Sequence, residues 1–220
     1  MNQRPAGEFA PVAIFAFNRL DPLRETLAAL EKAAHFGATP LFVFSEAARP
    51  HLADEAAEVE RVRDWLRPWC LAHNAVYSEA HANRGLRRSI VSGVEHVLAR
   101  HDRVIVLEDD VIVSHSFLRF MNDSLHAHET NEEIMQVSGW FVPHDRSLPP
   151  TGLLRVPGSW GWATWSRAWA HYCDDAAFLV DAVRKADARA FDINDSYGFL
   201  LALEKNAAGE LDTWAVRWYG

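Results

Sequence analysis

Three adjacent carboxylates, Glu108, Asp109 and Asp110, follow the most apolar run of the chain, Val104 to Leu107, and precede Val111, Ile112 and Val113. Carboxylates crowded at the end of a strand repel one another unless a cation or solvent compensates them, and hard oxygen donors of this kind suit Mg²⁺ or Mn²⁺. A solvated acidic turn is the plain alternative. The apolar residues on both sides hold the carboxylates close to the core and weigh against it. Other polar residues stand at the ends of other apolar runs: Asn18 and Arg19 after Val12 to Phe17, and Glu46 after Leu41 to Phe44. One basic and several acidic groups along one edge is what a metal and a phosphorylated ligand require. No glycine-rich cradle accompanies the first run, which disfavours the usual dinucleotide and P-loop folds.

The elements that position these residues alternate regularly. After Asn18 and Arg19, Asp21 and Pro22 suit the N-cap and first turn of a helix, and Leu23, Leu27, Leu30 and Ala34 mark its apolar stripe. A second stripe comprises Leu52, Ala56, Val59, Val62, Leu66 and Trp69; Ala75 to Tyr77 reads as a third strand; Leu86, Ile90, Val94 and Val97 mark a third helix. Strands alternating with helices predict an α/β fold, a mostly parallel sheet with helices on both faces, whose ligands sit beyond the carboxyl ends of the strands.

Composition narrows the partners. The 220 residues suit one domain, with residues 11–113 as a ligand-binding half and 114–220 as a second half. The 22 basic and 30 acidic side chains leave a net charge of -8, no footprint for gripping nucleic acid phosphates. Two cysteines, Cys70 and Cys173, are too few for a disulfide framework or a zinc site and fit a reducing cytoplasm. Neither a secretory leader nor a transmembrane run is evident. His126 and His128 cannot share a helix face, and neither Ser45 nor either cysteine has the surroundings of a nucleophile.

Seven of the nine tryptophans lie between Trp140 and Trp218. Trp162, Trp165 and Trp169 follow helical spacing, as does the pair Trp214 and Trp218, and core packing is the default for such stripes. Trp160 and Trp162, flanked by Gly158 and Gly161, and Trp140 after Gly139, have another character. Glycine lets a backbone approach a ligand closely, and an indole face suits the apolar side of a sugar ring.

The stretch VIVLEDDVIV from Val104 to Val113, with FLRF from Phe117, resembles the DXD-type metal element of GT-A fold (Rossmann-like) glycosyltransferases. PVAIFAFNR from Pro11, NRGL from Asn83 with Ser89 and Ile90, and PGSWGWATW from Pro157 extend the resemblance over most of the chain. It is nearest to the N-acetylglucosaminyltransferase I type and to bacterial sugar transferases akin to it. The resemblance implies a hexosyl- or N-acetylhexosaminyltransferase that uses a nucleotide-sugar donor, a UDP-sugar, with Mn²⁺ or Mg²⁺, and transfers the sugar with inversion to a carbohydrate or other hydroxyl acceptor. It implies Asp110 as the metal ligand, Asp109 facing the ribose and Glu108 supporting both. It places Asn18 and Arg19 near the nucleotide, and Glu46 where relatives have an aspartate touching the base. Asn83, Arg87 and Arg88 fall in the segment bordering the donor, where either arginine would balance diphosphate charge unless it is merely solvated. Trp160 and Trp162 become candidates for the sugar wall.

The same resemblance makes Asp212 the general base, because Asp212, Trp214, Arg217 and Trp218 match the acidic-Trp element of relatives. Its alternative role is a helix N-cap. Asp174 and Asp175 read as a solvated pair. Relatives usually continue past this element, whereas Gly220 follows two residues later, so part of the acceptor side is expected to be missing or supplied by another chain. Two other classes fit less well: a metal-dependent nucleotidyltransferase, which lacks its triphosphate loop here, and a non-catalytic carbohydrate- or partner-binding module, against which the intact acidic triplet stands.

Overall fold

The computed structural model describes residues 9–141, 149 and 151–220. Strand β1 (Val12–Ala16) is buried along its whole length. Val12, Ile14 and Ala16 join the core beneath α1 (Leu20–Glu31) and α2 (Ala53–Ala72), whereas Ala13 and Phe15 join that beneath α3 (Leu86–Leu98). A parallel strand covered on both faces needs an apolar residue at every position, which is why this run does not alternate. Strands β2 (Leu41–Ser45), β3 (Val76–Glu79) and β4 (Arg103–Glu108) complete a parallel block. After α4 (Phe117–Ala127) the two-residue β5 (Val137–Ser138) and β6 (Trp162–Trp165) extend the sheet, β6 running antiparallel to both β4 and β5. The order is β3-β2-β1-β4-β6-β5, a mostly parallel α/β sheet with helices on both faces.

The remaining helices are α5 (Ser166–Trp169), α6 (Ala176–Ala186), α7 (Ala188–Phe191), α8 (Phe199–Ala207) and α9 (Trp214–Tyr219). Leu179, Val180, Val183, Leu203 and Val216 form a small separate core among α6, α8 and α9.

Two local expectations are corrected. Helix α1 begins at Leu20 with Arg19 in the N-cap position, so Asp21 contributes negative charge to the first turn instead of capping it. More consequentially, Trp162 to Trp165 is a strand. Its register, Val106 opposite Trp162 and Arg103 opposite Trp165, adds it to β4. Trp162 then enters the α3 face and Ala163 and Trp165 the α4 face, a period of two. Only Trp169 of that tryptophan set lies on a helix. The ring of Trp162, fully buried, stacks on Trp214 with centroids 4.9 Å apart and tilts against Trp169 at 5.8 Å.

Candidate functional site

The strand register brings the sequence candidates to one edge. Phe15 lies opposite both Phe44 and Glu108, and Ala16 opposite Ser45, so Phe17, Glu46 and the Asp109–Asp110 pair leave their strands within one residue of the same level. The Glu46 amide closes the edge by donating to the Ala16 carbonyl at 2.9 Å. Above it lies a cavity of about 320 Å³, within the range of small-molecule sites, lined by Phe15, Phe17, Arg19, Phe44, Glu46, Arg49, Asn83, Gly85, Leu86, Ser89, Glu108 and Asp109 among others. Phe15 and Phe44 stack with centroids 5.1 Å apart and give it a flat apolar wall.

Gly85 shapes the opposite wall. It precedes α3 with φ 78° and ψ 159°, a region essentially reserved for glycine, and this turn carries the chain from Asn83 past the cavity into the helix. Asn83 Nδ2 donates to the Ala47 carbonyl at 2.6 Å and ties this loop to the end of β2. Glu46 is buried and fixed: Oε1 accepts from the Ala47 amide at 2.8 Å, and Oε2 accepts from the Ser89 hydroxyl. Arg49 is held at the rim by Glu55, whose carboxylate takes its Nε at 2.9 Å.

The acidic triplet is graded in exposure. Asp109 is buried; its Oδ2 accepts from the Phe17 amide at 3.4 Å, and its backbone carbonyl accepts from Thr26 Oγ1 at 3.1 Å, which anchors the loop to α1. Asp110 is about half exposed, at 47%. Arg19 bridges the two, one guanidinium nitrogen on Asp109 and Nη1 on Asp110 Oδ2 at 2.9 Å. Burial is the main reason that the Glu108 carboxyl is pushed up to about 7, and the neighbouring charges of Asp110 and Asp109 add to it. Burial likewise raises Asp109, opposed by Arg19.

This donor set suits a cation that shares its coordination with a ligand. Among the described residues no three His, Cys, Asp or Glu side chains converge as a complete cage. Mg²⁺ and similar ions, however, are commonly held by one or two carboxylates plus substrate phosphates, and the exposed Asp110 beside Asp109 offers that. The crowding that raises Glu108 is relieved by a positive charge at the same place.

Other candidates fall differently. Asn18 lies between the lining residues Phe17 and Arg19 without lining the cavity itself, and Arg88 is exposed on α3 away from it. Arg87 is no solvated helix-surface arginine: its side chain is 11% exposed and turned away from the cavity. Its Nη1 reaches both oxygens of Asp174 at 2.5 Å, and its Nε reaches Asp212 Oδ1 at 2.5 Å. Asp174 and Asp175 are both exposed, yet each has a partner: Asp174 takes Arg87, and Asp175 caps α6 by accepting from the Phe178 amide. Asp212 is not a helix cap either, because Thr213 occupies that position of α9. The Asp212 carboxylate, 58% exposed, also takes Arg217 Nη1 at 3.2 Å, and the two arginines hold it below the usual aspartate range against some opposing burial.

Trp162, fully buried in the core, forms no wall of any site. Trp160 is 53% exposed and meets Trp140 edge to face at 4.5 Å. The antiparallel register runs the chain before Trp162 toward the Glu108 end of β4, and the Gly139 amide bonds the Gly161 carbonyl at 2.8 Å, so this aromatic pair stands at the edge that carries the triplet. Gly139 and Gly158 allow a close approach there: a Cβ would lie 2.7 Å from Phe117 and Met121, or 2.1 Å from Ser138 Oγ, so that these side chains would have to shift. Gln136 braces the segment, donating to the Gly158 carbonyl at 2.5 Å and accepting from Trp218 Nε1 at 2.7 Å. The sequence assigned no role to Phe15, Phe44, Arg49, Ser89 or Asp174; the Asn83 to Ser89 motif was the one signal pointing to Ser89.

No protein-family profile and no curated protein matches this chain. Solved structures do. Mannosyltransferase PcManGT from Pyrobaculum calidifontis, in complex with GDP-Man and Mn²⁺, matches with a TM-score of 0.56 and 12% identity over 98% of this chain and 69% of that one. A protein from Desulfovibrio desulfuricans assigned as a nucleotide-diphospho-sugar transferase matches over 96% of this chain and 98% of that one at 11% identity and a TM-score of 0.42. S. aureus TarS 1-349 matches over 54% of this chain at 11% identity and a TM-score of 0.41, and the match spans a third of its length, 33%. At such identities the likeness to the mannosyltransferase is one of fold: the α/β sheet that the alternating elements predict, in the GT-A form that the resemblance implies. No helix among the described residues is long and apolar enough to cross a membrane.

Proposed function

We propose that this protein is a metal-dependent glycosyltransferase that moves a sugar from a nucleoside-diphosphate sugar to an acceptor hydroxyl with inversion. The observation that carries the proposal is the joining of two features at one sheet edge: a cavity of nucleoside size with a flat Phe15–Phe44 wall and a fixed Glu46 carboxylate, and an acidic triplet at its mouth. The fold shared with a mannosyltransferase that holds GDP-Man and Mn²⁺ supports it. The donor nucleotide lies along Phe15, Phe44 and Glu46, with Arg19 and Arg49 beside its phosphates. The resemblance in sequence favours UDP and the N-acetylglucosaminyltransferase I type.

Asp110, with Asp109 beside it, holds Mn²⁺ or Mg²⁺. Such an ion supplies charge stabilisation to the departing diphosphate. The chain's own residues do the rest. Glu46 orients the base, Gly85 and Leu86 flank it, and Trp160 with Trp140 offers an aromatic face to a sugar. Asp212 takes the proton of the acceptor hydroxyl as its oxygen attacks the anomeric carbon. Catalysis then consists of positioning and charge stabilisation with no covalent enzyme intermediate.

A thermal-shift screen of UDP- and GDP-sugars, each with Mn²⁺ or with EDTA, tests the proposal. Stabilisation by at least one nucleotide sugar that depends on the metal is the expected result. A melting temperature indifferent to every nucleotide sugar, or a shift that survives EDTA unchanged, overturns it. Stabilisation by a nucleoside triphosphate with release of pyrophosphate assigns the site to nucleotidyl transfer instead.

A further inference from the structure

Asp212 and the nucleotide cavity belong to different parts of the chain, yet one side chain joins them. Arg87 stands in the first turn of α3, between Leu86 and Ser89, which line the cavity. Its guanidinium points the other way, and its Nε donates to Asp212 Oδ1 at 2.5 Å. Arg217, from α9, places Nη1 on that same oxygen at 3.2 Å and also on the Thr213 carbonyl at 3.0 Å. Both guanidinium bonds thus fall on Oδ1, and among the described residues none falls on Oδ2. The far end of Arg87 is fixed in turn by Asp174, which takes Nη1 on both oxygens and the Tyr172 hydroxyl at 3.0 Å on Oδ1. Two arginines and two aspartates balance in charge, with the arginines buried and the Asp212 carboxylate 58% exposed.

We propose that Arg87 is a positioning residue: it pins one oxygen of Asp212 to the protein, leaves the other free on an exposed side chain to take the proton of an acceptor hydroxyl, and ties that carboxylate to the α3 wall of the nucleotide cavity. The inference rests on the transferase function proposed above and adds to it the device that orients the base. Two guanidinium groups converging on one oxygen restrict the turning of the carboxylate, which serves in-line attack on a bound donor. The planar guanidinium spans two carboxylates at once through different nitrogens, a geometry that lysine lacks. Arg87 accordingly belongs with Asp212, not with the donor phosphates.

The test compares Arg87→Lys and Arg87→Met with the wild type in the full chain. GDP-mannose and UDP-N-acetylglucosamine serve as donor probes with Mn²⁺, with release of the nucleoside diphosphate as readout, and GDP and UDP report donor-site affinity. Carboxyl NMR follows the titration of Asp212. The groups facing Asp212 are Arg87 and Arg217, with Asp174 and Tyr172 acting through Arg87. In Arg87→Met, turnover falls about 10²-fold, the scale of an ångström misplacement of a reacting group, while nucleotide affinity stays within about twofold. The acid limb of the rate profile and the Asp212 titration both move to higher pH, because a positive neighbour has been lost. Arg87→Lys keeps the charge without the span and lies between; it decides the matter if the Met variant does not fold. Wild-type turnover with an unmoved acid limb in a folded variant overturns the proposal and leaves Arg87 a structural strut. If the wild type releases nucleotide from neither donor, the nucleotide-sugar screen above decides the transferase function, and the Asp212 titration separately decides the pairing: an unmoved midpoint in a folded Arg87→Met overturns it.

Discussion

Replacing Arg19 by Ala separates the task this residue performs in the fold, bracing the acidic loop, from the one proposed for it, meeting the donor. Its guanidinium bridges Asp109, which is buried, and Asp110, which is half exposed. A hydrogen bond to a charged group contributes about 1.5–3 kcal/mol. Arg19 itself is 49% exposed, so water takes over part of its role and the lower end applies, about 1.5–2 kcal/mol. The bond to Asp110 adds at most about 1 kcal/mol more because both partners face solvent. For a chain of this size each kcal/mol moves the melting temperature by about 2–4 °C, so metal-free Arg19→Ala, short of about 1.5–3 kcal/mol in all, melts roughly 3–12 °C below the wild type. Mn²⁺ alone should then stabilise the variant more than the wild type, since in the variant the cation has no guanidinium to displace from Asp109 and Asp110. At a hundredfold excess over its dissociation constant it recovers about 2.7 kcal/mol, enough to close the gap. The assay is calorimetry of both proteins in EDTA and in a Mn²⁺ series. Equal melting temperatures in EDTA, or a Mn²⁺ response no larger in the variant, refute the claim that Arg19 occupies the place of a cation.

Four further outcomes are expected. Asp212→Asn lowers turnover by about 10² to 10⁴ with donor affinity preserved, measured by transfer kinetics beside nucleotide titration; a wild-type rate would remove Asp212 as the base. Trp160→Ala weakens binding of a nucleotide sugar more than binding of the nucleotide alone, read by calorimetric titration, and an equal loss for both removes Trp160 from the sugar site. Gly85→Ala, forced to keep φ at 78°, loses about 1–3 kcal/mol and weakens nucleotide binding through the displaced Asn83 loop, measured by chemical denaturation with and without UDP. Asp174 and Asp212 are both held below the ordinary aspartate range, with Arg87 the first of the groups that lower them. A depressed folded-state value means stability that is present above the unfolded value of about 3.9 and is lost as pH falls through the lower folded one. The stability gap between the wild type and Arg87→Met therefore narrows as pH drops below about 4, as acid titration of both by circular dichroism will record.

The parallel half of the fold was legible because its strands are buried on both faces. Val12 to Phe17 and Val104 to Leu107 had to be apolar throughout, and the helices between them had to carry 3.6-residue stripes. Position followed from topology: residues just past such strands meet at one edge, so Arg19, Glu46 and the acidic triplet were found without any contact being known. The antiparallel extension was not legible. Trp162, Trp165 and Trp169 satisfy helical spacing by coincidence, and only pairing with β4 decides for a strand. Long-range partners were hidden for the same reason. Nothing near Arg87 in the sequence announces Asp174 or Asp212, and nothing near Ser89 announces Glu46, because these pairs close across 87, 125 and 43 residues.

The grip of Arg87 on both Asp174 and Asp212 has a bearing on dynamics. Those two aspartates bracket the stretch that folds as α6, α7 and α8, whose small core is separate from the two that flank the sheet. A segment with its own core, joined at both ends to one guanidinium, is a cooperative unit of the kind that hydrogen exchange resolves: it opens as a whole while the strands stay protected. Its two ends stay close when the interior frays, so re-forming it carries little of the loop-closure entropy that a free segment of that length would face. What holds the two ends of this stretch together is thus one guanidinium and the ionisation of two exposed carboxylates, Asp174 and Asp212.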